Sequence, residues 1–154
     1  MTELIQTYAE QVDTFLNDIR LLSDHQREVL LGDNAHAITS TQGHVLMLLS
    51  QHGPQTNSEL AGALGVTPAA ITKAMKNLAA EPDSKVLPIQ DENDGRVVRW
   101  SLTALGISLA SAHAQQHRET LAEYADLFAE FTPANQAAIS QFLTLLNTRF
   151  TKEK

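Results

Sequence analysis

A chain of 154 residues, 43% of them hydrophobic, has room for one compact domain with dimerising helices and is too apolar to be disordered. It contains no cysteine, which excludes disulfides, thiolate metal sites and thiol redox sensing; it also has no bilayer-length apolar run and no leader-like start, so a cytoplasmic protein is expected. The formal net charge of −7 argues against nucleic acid only as a total, because residues 53–100 hold five basic and six acidic side chains, a local −1, and leave six basic and twelve acidic ones elsewhere. A few placed cations suffice for phosphate contact.

Leu4, Ile5, Tyr8, Val12, Phe15, Leu16, Ile19 and Leu22 recur at three- and four-residue spacing and predict an amphipathic first helix, continuing through Val29, Leu30 and Leu31 to a stop at Gly32. Residues 33–37 form a loop. Thr39-Ser40-Thr41-Gln42 is a capping box that opens a strongly apolar helix through Val45 and Leu49, ended by Gly53-Pro54. Thr56-Asn57-Ser58-Glu59 is a second capping box, and Leu60, Ala63 and Leu64 give its helix an apolar face. Gly65 supplies a turn. Thr67 caps the next helix with Pro68 at its first position, where the missing N–H costs nothing. On this helix Ile71, Met75 and Leu78 face inward, while Thr72, Lys73, Lys76 and Asn77 face out. Two short helices joined by a tight turn, the second with a polar and basic outer face, read as a helix-turn-helix.

Glu81-Pro82-Asp83-Ser84 breaks the helical pattern. Val86-Leu87-Pro88-Ile89 is a strand that Pro88 confines to an edge. Residues 91–95 make a polar tip with an Asp-Gly turn signal, and residues 96–102 return as a strand with Val98, Trp100 and Leu102 on one face. A hairpin after a helix-turn-helix is a wing. Thr103 caps a long helix running to about Glu130. Thr132-Pro133 caps a last one, with Ile139, Phe142, Leu143, Leu146 and Phe150 along one stripe. In so short a chain, the apolar stripes of the first and last helices are expected to meet a second copy.

This order of elements, with Asp94-Gly95-Arg96 at the wing tip, resembles the MarR family of dimeric winged-helix repressors over nearly the whole chain. Further segments are similar to its zinc-responsive AdcR/ZitR branch: Phe15-Leu16-Asn17, Glu28-Val29-Leu30-Leu31-Gly32, Thr41-Gln42-Gly43-His44-Val45-Leu46-Met47-Leu48-Leu49, Thr56-Asn57-Ser58-Glu59-Leu60-Ala61, Ala69-Ala70-Ile71-Thr72-Lys73-Ala74 and Phe131-Thr132-Pro133. The resemblance implies a mainly α fold with a small β wing, in a single domain covering residues 1–154. The winged helix-turn-helix would occupy about 39–102, and dimerisation helices about 2–32 and 103–150.

For DNA contact, Thr67, Ala69, Thr72, Lys73 and Lys76 are candidates for a major groove, where small side chains permit close approach and lysines meet phosphate. Asn57 and Ser58 begin a helix whose first N–H groups suit a phosphate. Arg96 suits a narrow minor groove, with Asp94 orienting it. Against this, two exposed lysines also read as a solvated helix face, and Asp94 with Arg96 as a turn-stabilising ion pair.

For metal, His113 and His117 are four apart on a helix and project from one side, a spacing that suits two imidazoles on one zinc. Among six histidines such a pair arises readily by chance. Taken alone, His44 reads as a core histidine satisfied by a backbone carbonyl and Glu28 as a surface acid. The zinc-responsive branch, however, joins a glutamate and a histidine at the places of Glu28 and His44 to a histidine pair matching His113 and His117. The resemblance thus implies one Zn2+ held by Glu28, His44, His113 and His117. A second, weaker site of those relatives uses a cysteine and two glutamates that match the neighbourhood of Asn34, Gly43 and Ala112; none of these is a good ligand, so one zinc per protomer is expected. His36 is a conceivable substitute ligand, and His25 and His52 read as surface residues. The implied function is a zinc-loaded homodimer that binds a palindromic DNA operator, of zinc-uptake genes by resemblance, with its recognition helices set about one DNA turn, ~34–36 Å, apart. Neutral imidazoles are required, so zinc sensing is expected to weaken below the ordinary histidine pKa of ~6.5. The alternative is a MarR-type repressor released by an aromatic acid, with no metal role. An enzyme is not expected, since four protein ligands leave zinc no open position.

Overall fold

The computed structural model describes residues 2–21 and 38–152. In chain order the described elements are α1 (Thr2–Leu21), α2 (Ser40–His52), α3 (Asn57–Leu64), α4 (Pro68–Leu78), β1 (Val86–Gln90), β2 (Val98–Leu102), α5 (Ala104–Ala129) and α6 (Pro133–Lys152). The chain divides into two compact units, Met1–Gln116 and His117–Lys154, with α5 running through the division. The expected end of the first helix near Gly32, and Glu28, His25, Asn34 and His36 with it, lie outside the described residues.

In the first unit, the helix starts follow the capping chemistry. At Thr39 and Thr56 both arms of the box form: the hydroxyl accepts from the backbone N–H of Gln42 or Glu59, and that residue's side chain accepts from the cap N–H. Thr67 accepts from Ala70 N–H at 3.2 Å. Gly65 closes α3 at φ 64°, the left-handed conformation that favours glycine.

α2, α3 and α4 bury Val45, Leu46, Leu49, Leu60, Ala61, Ile71, Met75 and Leu78 in one core, which Val86 of β1 and Leu109 and Ala110 of α5 complete. The expected face of α3 needs one correction: Ala63 is exposed, and Ala61 is buried in its place. At about 100° per residue, Leu60, Leu64 and Ala61 span one arc, and Ala63 falls on the far side of Leu60 from it.

β1 and β2 pair antiparallel, Val86 opposite Leu102 and Gln90 opposite Val98. Pro88 faces Trp100, whose N–H donates to Gln55 O at 2.9 Å on the opposite side. Trp100 thus turns its backbone groups away from β1, so the proline occupies an edge position where a missing N–H leaves no acceptor stranded. Trp100 and Leu102 pack against the core. Val98, expected with them, is exposed because it lies at the tip end of the strand, beyond the core. The Asp94–Val97 turn closes through Val97 N–H to Asp94 O at 2.9 Å. Gly95 does not take the positive φ that an Asp-Gly hairpin turn uses.

α5 starts where expected. The Thr103 hydroxyl accepts from Gly106 N–H at 3.0 Å and donates to Ser84 O at 2.8 Å. A Cβ added at Gly106 would overlap the Lys85 carbonyl, so a side-chain-free residue lets the helix start lie against the root of β1.

The second unit holds the end of α5 and α6. Pro133 opens α6 after Thr132, and Gln136 Nε2 donates to Phe128 O and Phe131 O at 2.9 Å each, joining the two helices across their turn. Large apolar side chains remain exposed on α1 (Leu4, Ile5, Tyr8, Phe15), on the end of α5 (Leu121, Tyr124, Leu127) and on α6 (Phe142, Leu143, Leu145, Phe150).

Candidate nucleic-acid interface and metal site

Ala69, Thr72, Lys73 and Lys76 form one exposed stripe on α4, opposite the buried Ile71, Met75 and Leu78, with Thr67 exposed at the helix start. That is the arrangement the spacing predicts, since residues three and four apart share a helix face. The hydroxyls of Thr67 and Thr72 are partly committed: Thr67 caps the helix, and Thr72 donates to Pro68 O at 3.0 Å. Both residues remain exposed on the outer face. Ser58 is exposed at the start of α3. Asn57 is half-buried, and its Oδ1 accepts from Trp100 Nε1 at 2.8 Å, giving it a structural task in joining α3 to the wing.

At the wing tip the Arg96 side chain is 96% exposed, and its Nε lies 3.7 Å from Asp94 Oδ1. Arg96 N–H also donates to that oxygen at 3.0 Å. Asp94 therefore restrains the arginine from both backbone and side chain while leaving the guanidinium in solvent.

Behind the wing lies a charged cluster that the sequence pattern does not announce. Arg99 Nη1 donates to both carboxylate oxygens of Glu59, at 3.2 and 2.9 Å, and Arg99 Nε donates to Asp91 Oδ2 at 2.7 Å. The Thr56 backbone N–H and then Arg99 hold the Glu59 carboxyl below its ordinary range. Asp91 is lowered first by Arg99 and next by the Asn93 N–H, and Arg99 is raised in turn by Asp91 and Glu59. The partners are 40 and 8 residues apart; only the capping box hinted that Glu59 had a fixed position.

For the metal candidates, the structure brings two of the four together. The rings of His44 and His113 lie edge to face with centroids 4.9 Å apart. His44 Nδ1 is 2.7 Å from Ser40 O. A carbonyl only accepts, so Nδ1 is the donor in that bond. His44 is half-exposed, whereas His113 is 3% exposed. The His113 ring lies against Gly43, where an added Cβ would overlap it. His117 follows one turn later on α5 but belongs to the second unit, and Glu28 lies outside the described residues. Among the described residues, no three His, Asp or Glu side chains converge in a way that could hold an ion. No described helix is long and apolar enough to cross a membrane.

Comparison with known proteins places these features. The MarR family model matches residues 38–98, which run from the start of the α2 cap into β2. The chain is 40% identical to the transcriptional regulator ZitR of Lactococcus lactis over 144 residues, 92% of this chain and 97% of the relative. It is 41% identical to the transcriptional regulator AdcR of Streptococcus pneumoniae over 140 residues, 90% and 94% of the two chains. Among solved structures, ZitR described as a zinc-responsive MarR family member superposes with TM-score 0.76 at 39% identity, covering 93% of this chain and 99% of that one. Wild-type ZitR in complex with DNA superposes with TM-score 0.77 at 40% identity, covering 92% and 97%. With capped α3 and α4, a wing on β1 and β2, and full-length relatives at this identity, the chain belongs to the MarR family of winged helix-turn-helix transcriptional regulators.

Proposed function

We propose that this protein is a cytoplasmic, zinc-responsive DNA-binding repressor acting as a homodimer, with one zinc ion per protomer. The observation that carries the zinc reading is the His44–His113 pair. A metal-binding histidine typically donates its second ring N–H to a carbonyl or carboxylate, which fixes the tautomer and aims the other nitrogen. His44 makes that bond to Ser40 O and lies 4.9 Å, centroid to centroid, from a second imidazole. The donor types fit: three imidazoles and a carboxylate, His44, His113, His117 and Glu28, suit a tetrahedral zinc with no open position. When bound, the ion supplies a crosslink between the elements that carry its ligands, not a reacting centre. Similarity to the zinc-responsive ZitR supports the same assignment.

The chain's own residues provide the connection to DNA. His44 sits between Gly43 and Val45 on α2, and Val45, Leu46 and Leu49 of that helix are packed with Ile71 and Met75 of α4. A close-packed interface transmits a displacement rather than absorbing it, so the position of His44 bears on the reading helix. In this reading Thr67, Ala69, Thr72, Lys73 and Lys76 meet the major groove, Ser58 and the start of α3, with Asn57, meet phosphate, and Arg96 enters the minor groove. Similarity to ZitR, solved in complex with DNA, supports this face. The exposed apolar side chains of α1 and α6 are the surface a second copy would cover.

Gly43 bears on the stoichiometry. The space beside its Cα is taken by the His113 ring, which supports a single-ion arrangement in which that glycine serves the primary ligand. The test is zinc titration of purified protein and of a His113→Ala variant, each followed by DNA binding. We expect one zinc per protomer, and loss of zinc-dependent DNA binding in the variant. A variant that still responds normally to zinc would overturn the ligand assignment. Release of metal-free protein from DNA by an aromatic acid would favour the organic-ligand alternative.

A further inference from the structure

We propose that Arg99 is a positioning residue for DNA recognition, which fixes the wing tip relative to the helix-turn-helix and so places Arg96; this rests on the DNA-binding reading above. The bonds form one continuous path. The Thr56 N–H donates to Glu59 Oε2 at 2.8 Å at the start of α3. Glu59 accepts two bonds from Arg99 Nη1, and Arg99 Nε donates to Asp91 Oδ2. Asp91 uses its other oxygen, Oδ1, to accept from Asn93 N–H at 2.9 Å and Asp94 N–H at 3.2 Å. Asp94 restrains Arg96. The path therefore runs from the first turn of α3 to the tip residue, and Arg99 is the link between its two halves.

A second attachment serves the base of the wing, through Trp100 Nε1 to Asn57 Oδ1 and the Gln55–Trp100 backbone pair. The division of labour follows from the strand. Arg99 and Trp100 are neighbours on β2 and point to opposite faces. Trp100 thus secures the strand to the core side, and Arg99 secures the loop at residues 91–94. Asp91 is the hinge between them: its backbone N–H donates to Val97 O, closing the loop, while its carboxylate joins the loop to Arg99. A guanidinium suits the role because its rigid planar fork holds the Nε and Nη1 donors at separate fixed positions, whereas an ammonium gathers its three donors on one rotatable nitrogen. Arg99 is itself turned into this cluster, whereas Arg96 is the tip cation left in solvent.

The test uses the full-length, zinc-loaded protein and a duplex that the wild type selects from a random-sequence pool. Arg99→Ala should weaken binding roughly tenfold, within the range of coupling between contacting groups. The deciding measurement is a double-mutant cycle with Arg96→Ala. If Arg99 acts through Arg96, then Arg96→Ala/Arg99→Ala binds no more weakly than Arg96→Ala alone. Arg99→Lys should fail to restore the wild-type affinity. Without DNA, amide exchange at Asn93 and Asp94 should accelerate in Arg99→Ala while that of the α4 amides stays unchanged, which also shows that the variant is folded. Additive losses, or full rescue by lysine, would overturn the proposal and make Arg99 a direct phosphate contact. Unchanged exchange at the tip would overturn the positional link. A wild type that selects no DNA, yet shows the exchange difference, would instead overturn the DNA-binding reading and the recognition role with it.

Discussion

Gly43→Ala and Gly62→Ala make the same chemical change in two helices and should have opposite consequences. Glycine inside a helix is about 1 kcal/mol less favourable than alanine, so at an open site the substitution stabilises. Gly62 in α3 is such a site, with nothing within 4 Å of an added Cβ; Gly62→Ala should stabilise by about 1 kcal/mol. At Gly43 the added carbon overlaps the ring of His113, which is only 3% exposed and has little room to withdraw. Overpacking a filled site costs about 1–3 kcal/mol. Net of the helical gain, Gly43→Ala should destabilise by about 0–2 kcal/mol. The two variants should thus differ by roughly 2–12 °C in melting temperature at fixed protomer concentration. Calorimetric zinc titration should show weaker binding in Gly43→Ala and wild-type binding in Gly62→Ala, because only the first displaces His113 from His44. In a His113→Ala background the overlap is gone, so Gly43→Ala should become stabilising by about 1 kcal/mol. Equal stabilisation by both glycine substitutions in the wild-type background would refute the packing of His113 on Gly43 and the role given to that glycine.

Other consequences are separately measurable. Ile71 is fully buried between the reading helix and the core; Ile71→Ala should cost about 2–5 kcal/mol in urea denaturation, whereas Thr72→Ala on the exposed side should cost under about 1 kcal/mol. Lys73→Ala and Lys76→Ala should each weaken binding to all DNA sequences alike and reduce the slope of log affinity against log salt by about 1, which a salt titration reads directly. Acid should loosen the wing. The Glu59 and Asp91 carboxyls are lowered from 4.5 and 3.8, so their contribution is fully present above those unfolded values and is lost as pH falls through the lower folded ones. The stability difference between wild type and Arg99→Ala should therefore be constant near neutrality and vanish in acid.

Most of the architecture could be read from local chemistry. The caps at Thr39, Thr56, Thr67 and Thr103 each need only residues within three positions of one another, and all four form as their sequences require. The inward set Ile71, Met75 and Leu78 and the outward set Thr72, Lys73 and Lys76 likewise follow from one helical period. In α3 alanine carries too little apolar area to mark a face, so only the partners of Ala61 decide that it, and not Ala63, is inside. Long-range pairings were not legible. Nothing near Arg99 in sequence points to Glu59, and nothing near Asn57 points to the Trp100 indole that donates to its oxygen. The metal candidates lie between these cases. Helical spacing places His113 and His117 on one face, but the approach of His44 to His113 depends on how α2 and α5 cross, with Gly43 permitting the contact. Helical period could not supply that relation; the resemblance to zinc-responsive regulators did.

Coupling between a metal site and a DNA-binding state requires zinc to bind the DNA-competent conformation more tightly than the other. The direct measurement is the affinity of the purified dimer for its selected duplex at fixed salt, with stoichiometric zinc and with a chelator. Chelation should weaken binding by roughly 5–150-fold, the span of typical allosteric coupling, and added zinc should restore it at one equivalent per protomer. Equal affinity in zinc and in chelator would contradict zinc control of DNA binding.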